Sequence, residues 1–149
     1  MVTISGPITA DGALVTIAVG VSEARRRLLQ RHNLPVPPPS QVRVVVDPAS
    51  AVTLADEVRS IRPLGVMSSG QQLLLSSASG LTINNHPFFP LSVALLDDTG
   101  HPLFYWPQVN VLGTSYHPAS AVQGVFGRDL LADCVFHFDG KKRFFSLTV

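Results

Sequence analysis

Short runs of β-branched and aliphatic residues, separated by turn residues, dominate the hydrophobic pattern and predict an all-β fold. The first two runs, residues 2–9 and 13–19, are joined by Ala10-Asp11-Gly12, and Asp-Gly between such runs is a strong hairpin signal. A second Asp-Gly hairpin, through Asp139-Gly140, is predicted near the end of the sequence. The other predicted strands cover residues 42–46, 73–75, 91–96, 103–106, 109–112, 135–138 and 144–149.

Helical signals are few and short. The clearest helix begins at the N-cap Ser22 and ends before Pro35, with four arginines on a face that we interpret as solvated. Its apolar stripe consists of Ala24, Leu28 and Leu29. Two more short helices are predicted over residues 53–60 and 129–133. In the first of them, the residues expected to point inward are Leu54, Val58 and Ile61.

The length of 149 residues fits a single domain with a sizeable core of its own. Residues 1–40 hold the hairpin, the helix and a proline-rich connector at 35–39, and residues 41–149 form the core region. The prolines keep the connector extended and stiff. One domain, covering residues 1–149, is therefore expected.

The composition and net charge exclude some classes of protein and binding partner. Hydrophobic residues make up 46% and charged residues 14%, which excludes intrinsic disorder. A formal charge of +1 gives no reason to expect electrostatic binding to nucleic acid or to an anionic membrane. Because the chain is so apolar, we expect a partner to cover part of its apolar surface. A homodimer is the simplest such arrangement.

Several kinds of site are not expected. The single Cys134 excludes an intrachain disulfide, and its apolar neighbours predict a core position. The five histidines lack the close pairing that a zinc site requires, and no glycine-rich phosphate loop is present, so no metal or other cofactor is predicted. The apolar stretch 13–21 is too short to span a bilayer and lacks the order of a signal peptide, so a cytoplasmic location is expected.

Two segments far apart in the sequence are candidates for a catalytic site. Asp47 directly follows the buried strand predicted at 42–46, and Gly127-Arg128-Asp129 follows the apolar pair Val125-Phe126. The later segment, with a short helix and an Asp-Gly hairpin after it, resembles the C-terminal third of the retropepsin-like aspartic peptidases. Asp47, eighty positions upstream of Gly127 (127 minus 47), corresponds to the end of their catalytic strand. The order of elements in the resemblance covers nearly the whole chain.

The resemblance implies a closed-barrel acid-protease fold with one short N-terminal and one short C-terminal helix. It also implies a homodimer in which each subunit contributes Asp47 as the catalytic residue, without a cofactor. A flap-like hairpin between residues 66 and 89 is expected to cover an extended peptide or protein substrate. The candidate flap residues are Ser77, Ala78, Ser79 and Gly80.

The catalytic motif departs from the family pattern of Asp, Thr or Ser, then Gly. Here Pro48 offers neither the hydroxyl nor the N–H with which the family threonine locks the two catalytic loops together. Ala49 replaces the family glycine, and its Cβ is expected to displace the N–H near the carboxylate. Ser50 matches the family pattern and is expected to hydrogen-bond to Asp47.

The segment Gly127-Arg128-Asp129 is expected to support the site. In the family, the arginine commonly pairs with an acid just after the catalytic motif, but the position four after Asp47 is Ala51. Asp129 or another chain is therefore expected to pair with Arg128. A literal family motif also occurs at Asp98-Thr99-Gly100, but the twenty-seven positions from Gly100 to Gly127 leave too little chain for the intervening elements. We interpret Asp98-Thr99-Gly100 as an ordinary hairpin turn.

These features predict a protein that binds extended peptides in a homodimer cleft, with weak or lost proteolysis. The alternative is an active aspartic endopeptidase that uses Asp47 from each subunit.

Overall fold

The computed structural model describes residues 1–76 and 83–149. In these two ranges the strands are β1 Thr3–Thr9, β2 Gly12–Val21, β3 Ser40–Val46, β4 Leu54–Asp56, β5 Gln72–Ser76, β6 Ile83–Leu96, β7 Pro102–Thr114, β8 Gly124–Phe126, β9 Val135–Asp139 and β10 Phe144–Thr148. The helices are α1 Glu23–Arg31 and α2 Arg128–Leu131, with a π-helical turn Glu57–Ile61 and a 3₁₀ turn Arg62–Leu64. The predicted all-β class is confirmed.

Six strands close into a barrel in the order β2, β3, β8, β4, β7 and β6, because β6 pairs with β2 as well as with β7. The barrel strands direct alternate apolar side chains into one core. Ile17, Val44, Leu91 and Phe126, from four of these strands, are completely buried. Burial of such side chains is the main stabilising contribution to the fold.

Three strands extend the sheet beyond the barrel on the side of β2. β1 pairs with β2 through the predicted first hairpin, β10 pairs with β1, and β9 lies outside β10. The second predicted hairpin is also confirmed, since Phe144 of β10 stands opposite Asp139 of β9. Val135 and Phe138 of β9 are more than half exposed.

Helix α1 forms where predicted, but it buries no residue. The hydroxyl of Ser22 accepts a hydrogen bond from the Arg25 N–H at 3.2 Å, which confirms the N-cap. The predicted inward stripe is wrong, because Leu28 is 43% exposed and Ala24 is also exposed. The helix lies at the periphery of the barrel, so its apolar residues have no core to enter.

The helix predicted over residues 53–60 is wrong. Leu54–Asp56 is instead a short strand that pairs with both β7 and β8, which fixes an extended backbone. Only the next five residues turn, as a π-helical segment, and Val58 there is 52% exposed while Ile61 is buried. The spacing of apolar residues resembled a helix, but pairing on both sides determines the structure of the first half.

The strands predicted at 103–106 and 109–112 are one continuous strand, β7. Pro107 lies in an irregularity of its pairing with β6, where Val93 pairs with Trp106 and Leu91 with Val109. A bulge accommodates a proline because it needs no ladder hydrogen bond there. Similarly, β6 begins earlier than predicted, at Ile83.

A hairpin is present where the flap was expected. β5 pairs antiparallel with β6, from Gln72 opposite Pro87 to Ser76 opposite Ile83. The candidate flap residues Ser77, Ala78, Ser79 and Gly80 lie outside the described residues. Among the helices of the described ranges, none has the length and apolar character that crossing a membrane would need.

Candidate functional site

The two segments that point to chemistry meet at one edge of the barrel. Strands β3 and β8 run parallel, with Val46 opposite Phe126, so their carboxyl ends lie side by side. The backbone continues this pairing by one step, since the Asp47 N–H donates to the Phe126 carbonyl at 3.0 Å. Asp47 therefore lies next to the start of Gly127-Arg128-Asp129, as both segments follow paired strands.

The turn after Asp47 is held by the aspartate itself. Its Oδ1 accepts a hydrogen bond from the Ala49 N–H at 2.9 Å, and its carbonyl accepts one from the Ser50 N–H at 3.1 Å. We expected the Ala49 Cβ to displace this N–H, and that prediction is wrong. The φ angle of Ala49 is not positive, so an alanine fits the turn without strain. Asp47 is half-buried, and Pro48 beside it is exposed.

Ser50 does not bind Asp47 through its side chain, contrary to expectation. The Ser50 hydroxyl donates to the Val52 carbonyl at 2.7 Å. The carbonyl of Ser50 accepts a hydrogen bond from the Arg128 N–H at 2.8 Å. Ser50 thus connects the turn after Asp47 to the first residue of α2.

Thr53 links the two segments, and sequence reasoning missed it. Its hydroxyl donates to Asp129 Oδ1 at 2.7 Å, and its N–H donates to Asp129 Oδ2 at 2.9 Å. The same hydroxyl accepts a hydrogen bond from the Gly127 N–H at 3.1 Å. Thr53 is completely buried, so each of these polar groups needs its partner. The only sequence signal was a polar residue just before a short apolar run.

Gly127 has no space for a side chain. A Cβ at this position would lie 2.3 Å from the Val52 carbonyl oxygen and 2.9 Å from the Thr53 nitrogen. The close approach brings the loop 47–53 against the start of α2. This steric requirement explains why glycine precedes Arg128 and Asp129.

Arg128 does not pair with Asp129. The Asp129 carboxylate is used by Thr53 and by the Leu130 N–H, which donates to Oδ1 at 2.9 Å. The Arg128 side chain is exposed and forms no ion pair with the described residues. Within the described residues, the side-chain hydrogen bonds of this segment therefore come from Asp129, not from the Arg128 guanidinium.

Asp98-Thr99-Gly100 is a hairpin turn between β6 and β7, as predicted. Asp97 closes it, since its Oδ1 accepts hydrogen bonds from the Thr99 N–H at 2.8 Å and the His101 N–H at 2.9 Å. Gly100 adopts a φ of +85°, which favours glycine. The local turn geometry explains this motif completely.

The buried carboxylate of Asp56 fixes the loop after β7. Asp56, which is 2% exposed, accepts hydrogen bonds from the Arg59 N–H at 2.9 Å and the Tyr116 N–H at 3.3 Å. The Arg59 guanidinium binds both Asp56 and the carbonyls of His117 and Pro118. Burial alone would raise the pKa of Asp56, but the hydrogen bonds and charge of Arg59 outweigh it and lower that pKa.

An open cleft of about 500 Å³ borders α2 on the side of β7. Trp106 and Asp133 lie in it and are joined by a hydrogen bond of 2.7 Å from Nε1 to Oδ2. Asp129 also lines this cleft, while Asp47 does not. The cleft is thus separate from the turn that carries Asp47.

Cys134 is half-buried rather than fully in the core. Its thiol lies 3.3 Å from the Leu130 carbonyl, and burial raises the pKa of this thiol to about 11. A thiol with so high a pKa is a poor nucleophile at neutral pH. In the described residues, no group of three histidine, cysteine or acidic side chains is arranged to hold a metal ion.

No family model matches the chain, and no curated protein matches it.

Proposed function

We propose that this chain is a retropepsin-like protein whose homodimer binds extended peptides in a cleft between the subunits, with weak or lost proteolysis. The parallel pairing of β3 with β8 supports the proposal most strongly. It brings Asp47 and Gly127 to the same strand edge, although eighty positions separate them in the sequence. The closed barrel and the β5–β6 hairpin agree with the same fold.

In this proposal each subunit contributes one Asp47. Two carboxyl groups that face each other closely do not both ionise easily, so they share one proton. The ionised carboxylate takes a proton from a water that attacks the peptide carbonyl, and the protonated one donates a hydrogen bond to the developing oxyanion. An extended peptide supplies backbone groups that pair with strand edges under the β5–β6 hairpin.

Pro48 is the reason to propose weak chemistry. It has neither a hydroxyl nor an N–H to connect the Asp47 turns of two subunits. Without such a connection, the relative position of the two carboxyl groups depends on the dimer contacts alone. A misplacement of about 1 Å reduces a rate by roughly a hundredfold. Peptide binding requires less precise geometry and is retained.

The second candidate is an active aspartic endopeptidase. The contact between the Ala49 N–H and Asp47 Oδ1, at 2.9 Å, favours it. That donor occupies the position that the family glycine would supply, so the carboxylate keeps its local orientation. In this candidate the dimer contacts alone hold the two carboxyl groups together.

Fluorescein-labelled casein, an unstructured chain, tests both candidates by fluorescence anisotropy and by gel analysis of cleavage at pH 4 to 7. We expect binding with little or no cleavage, and we expect Asp47→Asn to weaken binding about fivefold or more, the effect of about one lost hydrogen bond. Asp98→Asn is the matched control, because Asp98 is exposed and belongs to the hairpin turn. Binding that Asp47→Asn leaves unchanged would refute the proposed cleft.

Cleavage in the same assay separates the two candidates. If the unmodified protein cleaves casein readily and Asp47→Asn abolishes this, the active endopeptidase is correct. Sedimentation at micromolar concentration completes the test, because the cleft requires two subunits. A clean monomer would exclude both candidates.

A further inference from the structure

A groove of about 360 Å³ lies on the outside of the barrel, and Asp47 is not among the residues that line it. The proline-rich connector, α1 and the strands β2, β6 and β7 line it. Its volume falls within the roughly 300 to 1,000 Å³ typical of small-molecule sites.

Small side chains from neighbouring strands form the strand side of the groove. Ala94 of β6 pairs with Ala18 of β2 on one side and with Tyr105 of β7 on the other. Directly paired residues project to the same face of a sheet, so these three form one row. Gly20 and Ser92, which also pair, form the next row. The result is a flat surface with little side-chain volume.

The covering elements do not fill this space. α1 has no buried residue, and it reaches β7 through the Tyr105 hydroxyl, which donates to Glu23 Oε2 at 3.3 Å. Pro37 and Pro39 line the opposite part of the groove, and their rings are rigid. The groove therefore stays open between two stiff boundaries.

Ser92 adds a polar group at the base of the groove. The residue is 7% exposed, and its hydroxyl makes no hydrogen bond to the described residues. Ser92 lines the open groove, so its hydroxyl can form a hydrogen bond with a molecule bound there.

One arginine, Arg26, lies at the rim of the groove beside Glu23. α1 carries four arginines and one glutamate in nine residues, on a chain whose total formal charge is +1. Arg26 is the arginine of α1 that lines the groove. Only its Nη2 is used by Glu23, at 2.5 Å, and the other donors of the guanidinium fork are available for a second anion.

From the flat apolar strand surface, the Ser92 hydroxyl in the groove and the Arg26 guanidinium, we propose that this groove binds a small amphipathic organic anion. Its apolar body lies on Ala18, Gly20 and Ala94. Its carboxylate or sulfonate group contacts Arg26, and a polar atom of its body reaches Ser92. The rigid walls favour a small ligand over a peptide chain.

Two fluorescent probes with the same ring system test the charge contribution. We expect 1-anilinonaphthalene-8-sulfonate to bind one site per chain, and the uncharged N-phenyl-1-naphthylamine to bind the same site more weakly. Arg26→Gln is expected to weaken the sulfonate at least fivefold and to change the neutral probe less than twofold. Arg27→Gln is the matched control, since Arg27 also contacts Glu23, at 3.1 Å, but does not line the groove.

Filling the groove tests its location. Ala94→Phe is expected to abolish the binding of both probes while circular dichroism shows an unchanged fold. If this variant does not fold, the comparison of Arg26→Gln with Arg27→Gln decides the question. Three results would overturn the proposal: no probe binding, equal effects of the two arginine variants, or unchanged binding in folded Ala94→Phe. Displacement of the sulfonate by hexaglutamate would overturn the assignment to a small ligand.

Discussion

Thr53 and Asp129, 76 positions apart in the sequence, are joined by two hydrogen bonds, from the Thr53 hydroxyl at 2.7 Å and from its N–H at 2.9 Å. Thr53 also accepts the Gly127 N–H, so a single buried side chain joins the loop after β3 to the start of α2. Together with the parallel pairing of β3 and β8, this connection holds the loop after Asp47 against the start of α2.

Asp129→Ala should therefore destabilise the whole protein. It leaves the buried hydroxyl and N–H of Thr53 without their acceptors, and unsatisfied buried groups cost about 1 to 3 kcal/mol each. We expect the free energy of unfolding, measured by urea denaturation, to fall by at least about 2 kcal/mol. Arg128→Ala is the control, because this side chain is exposed, and it should change stability by less than about 0.5 kcal/mol. Equal losses in the two variants would contradict the assignment.

Gly127→Ala tests the close approach beside Asp129. The added Cβ would lie 2.3 Å from the Val52 carbonyl oxygen, so the backbone must move. Overpacking of this kind costs about 1 to 3 kcal/mol, and a fall in Tm of about 3 °C or more is expected from calorimetry. Gly140→Ala serves for comparison, since its nearest neighbour would be 3.8 Å away. A Gly127→Ala protein as stable as the Gly140→Ala protein would show that the loop is not packed as described.

Asp56 makes the folding stability of the protein depend on pH in the acidic range. Burial would raise its pKa, but the hydrogen bonds and charge of Arg59, with the Tyr116 N–H, lower the folded-state pKa below the ordinary value of 3.8. A lowered folded-state pKa stabilises the protein above the unfolded pKa, and the stabilisation is lost as the pH falls through the folded pKa. Stability of the unmodified protein should thus fall more steeply than that of Asp56→Asn below about pH 5. Parallel curves from urea denaturation at each pH would contradict this.

Restoring the family motif tests the interpretation of Pro48. In the double variant Pro48→Thr, Ala49→Gly, the threonine regains a hydroxyl and an N–H for contact with the second subunit. We expect casein cleavage to rise by roughly a hundredfold over the unmodified protein, if misplacement of about 1 Å limits the rate. The same double variant with Asp47→Asn should be inactive. Unchanged cleavage in the double variant would mean that Pro48 does not limit the chemistry.

Local turn chemistry made part of the fold predictable from sequence. Asp11-Gly12 and Asp98-Thr99-Gly100 each specify a hairpin within a few residues, and both turns form as predicted. Ser22 likewise acts as an N-cap through an N–H only three residues away. These signals need no knowledge of the rest of the chain.

The parts that sequence did not predict depend on distant neighbours. β4 is extended because β7 and β8 lie on its two sides, and its own three residues carry no strand pattern. Thr53 becomes a central residue only because Asp129 is folded against it. Asp47 itself was found because a carboxylate at the end of a buried strand stands out in a local pattern.

The distance between the two Asp47 carboxyl groups in a crystal structure of the homodimer tests the central claim most directly. We predict that they face each other across the two-fold axis in one cleft, with the nearest oxygens about 2.5 to 3 Å apart. A dimer that holds the two groups on separate surfaces, beyond the reach of a shared proton, would contradict the account.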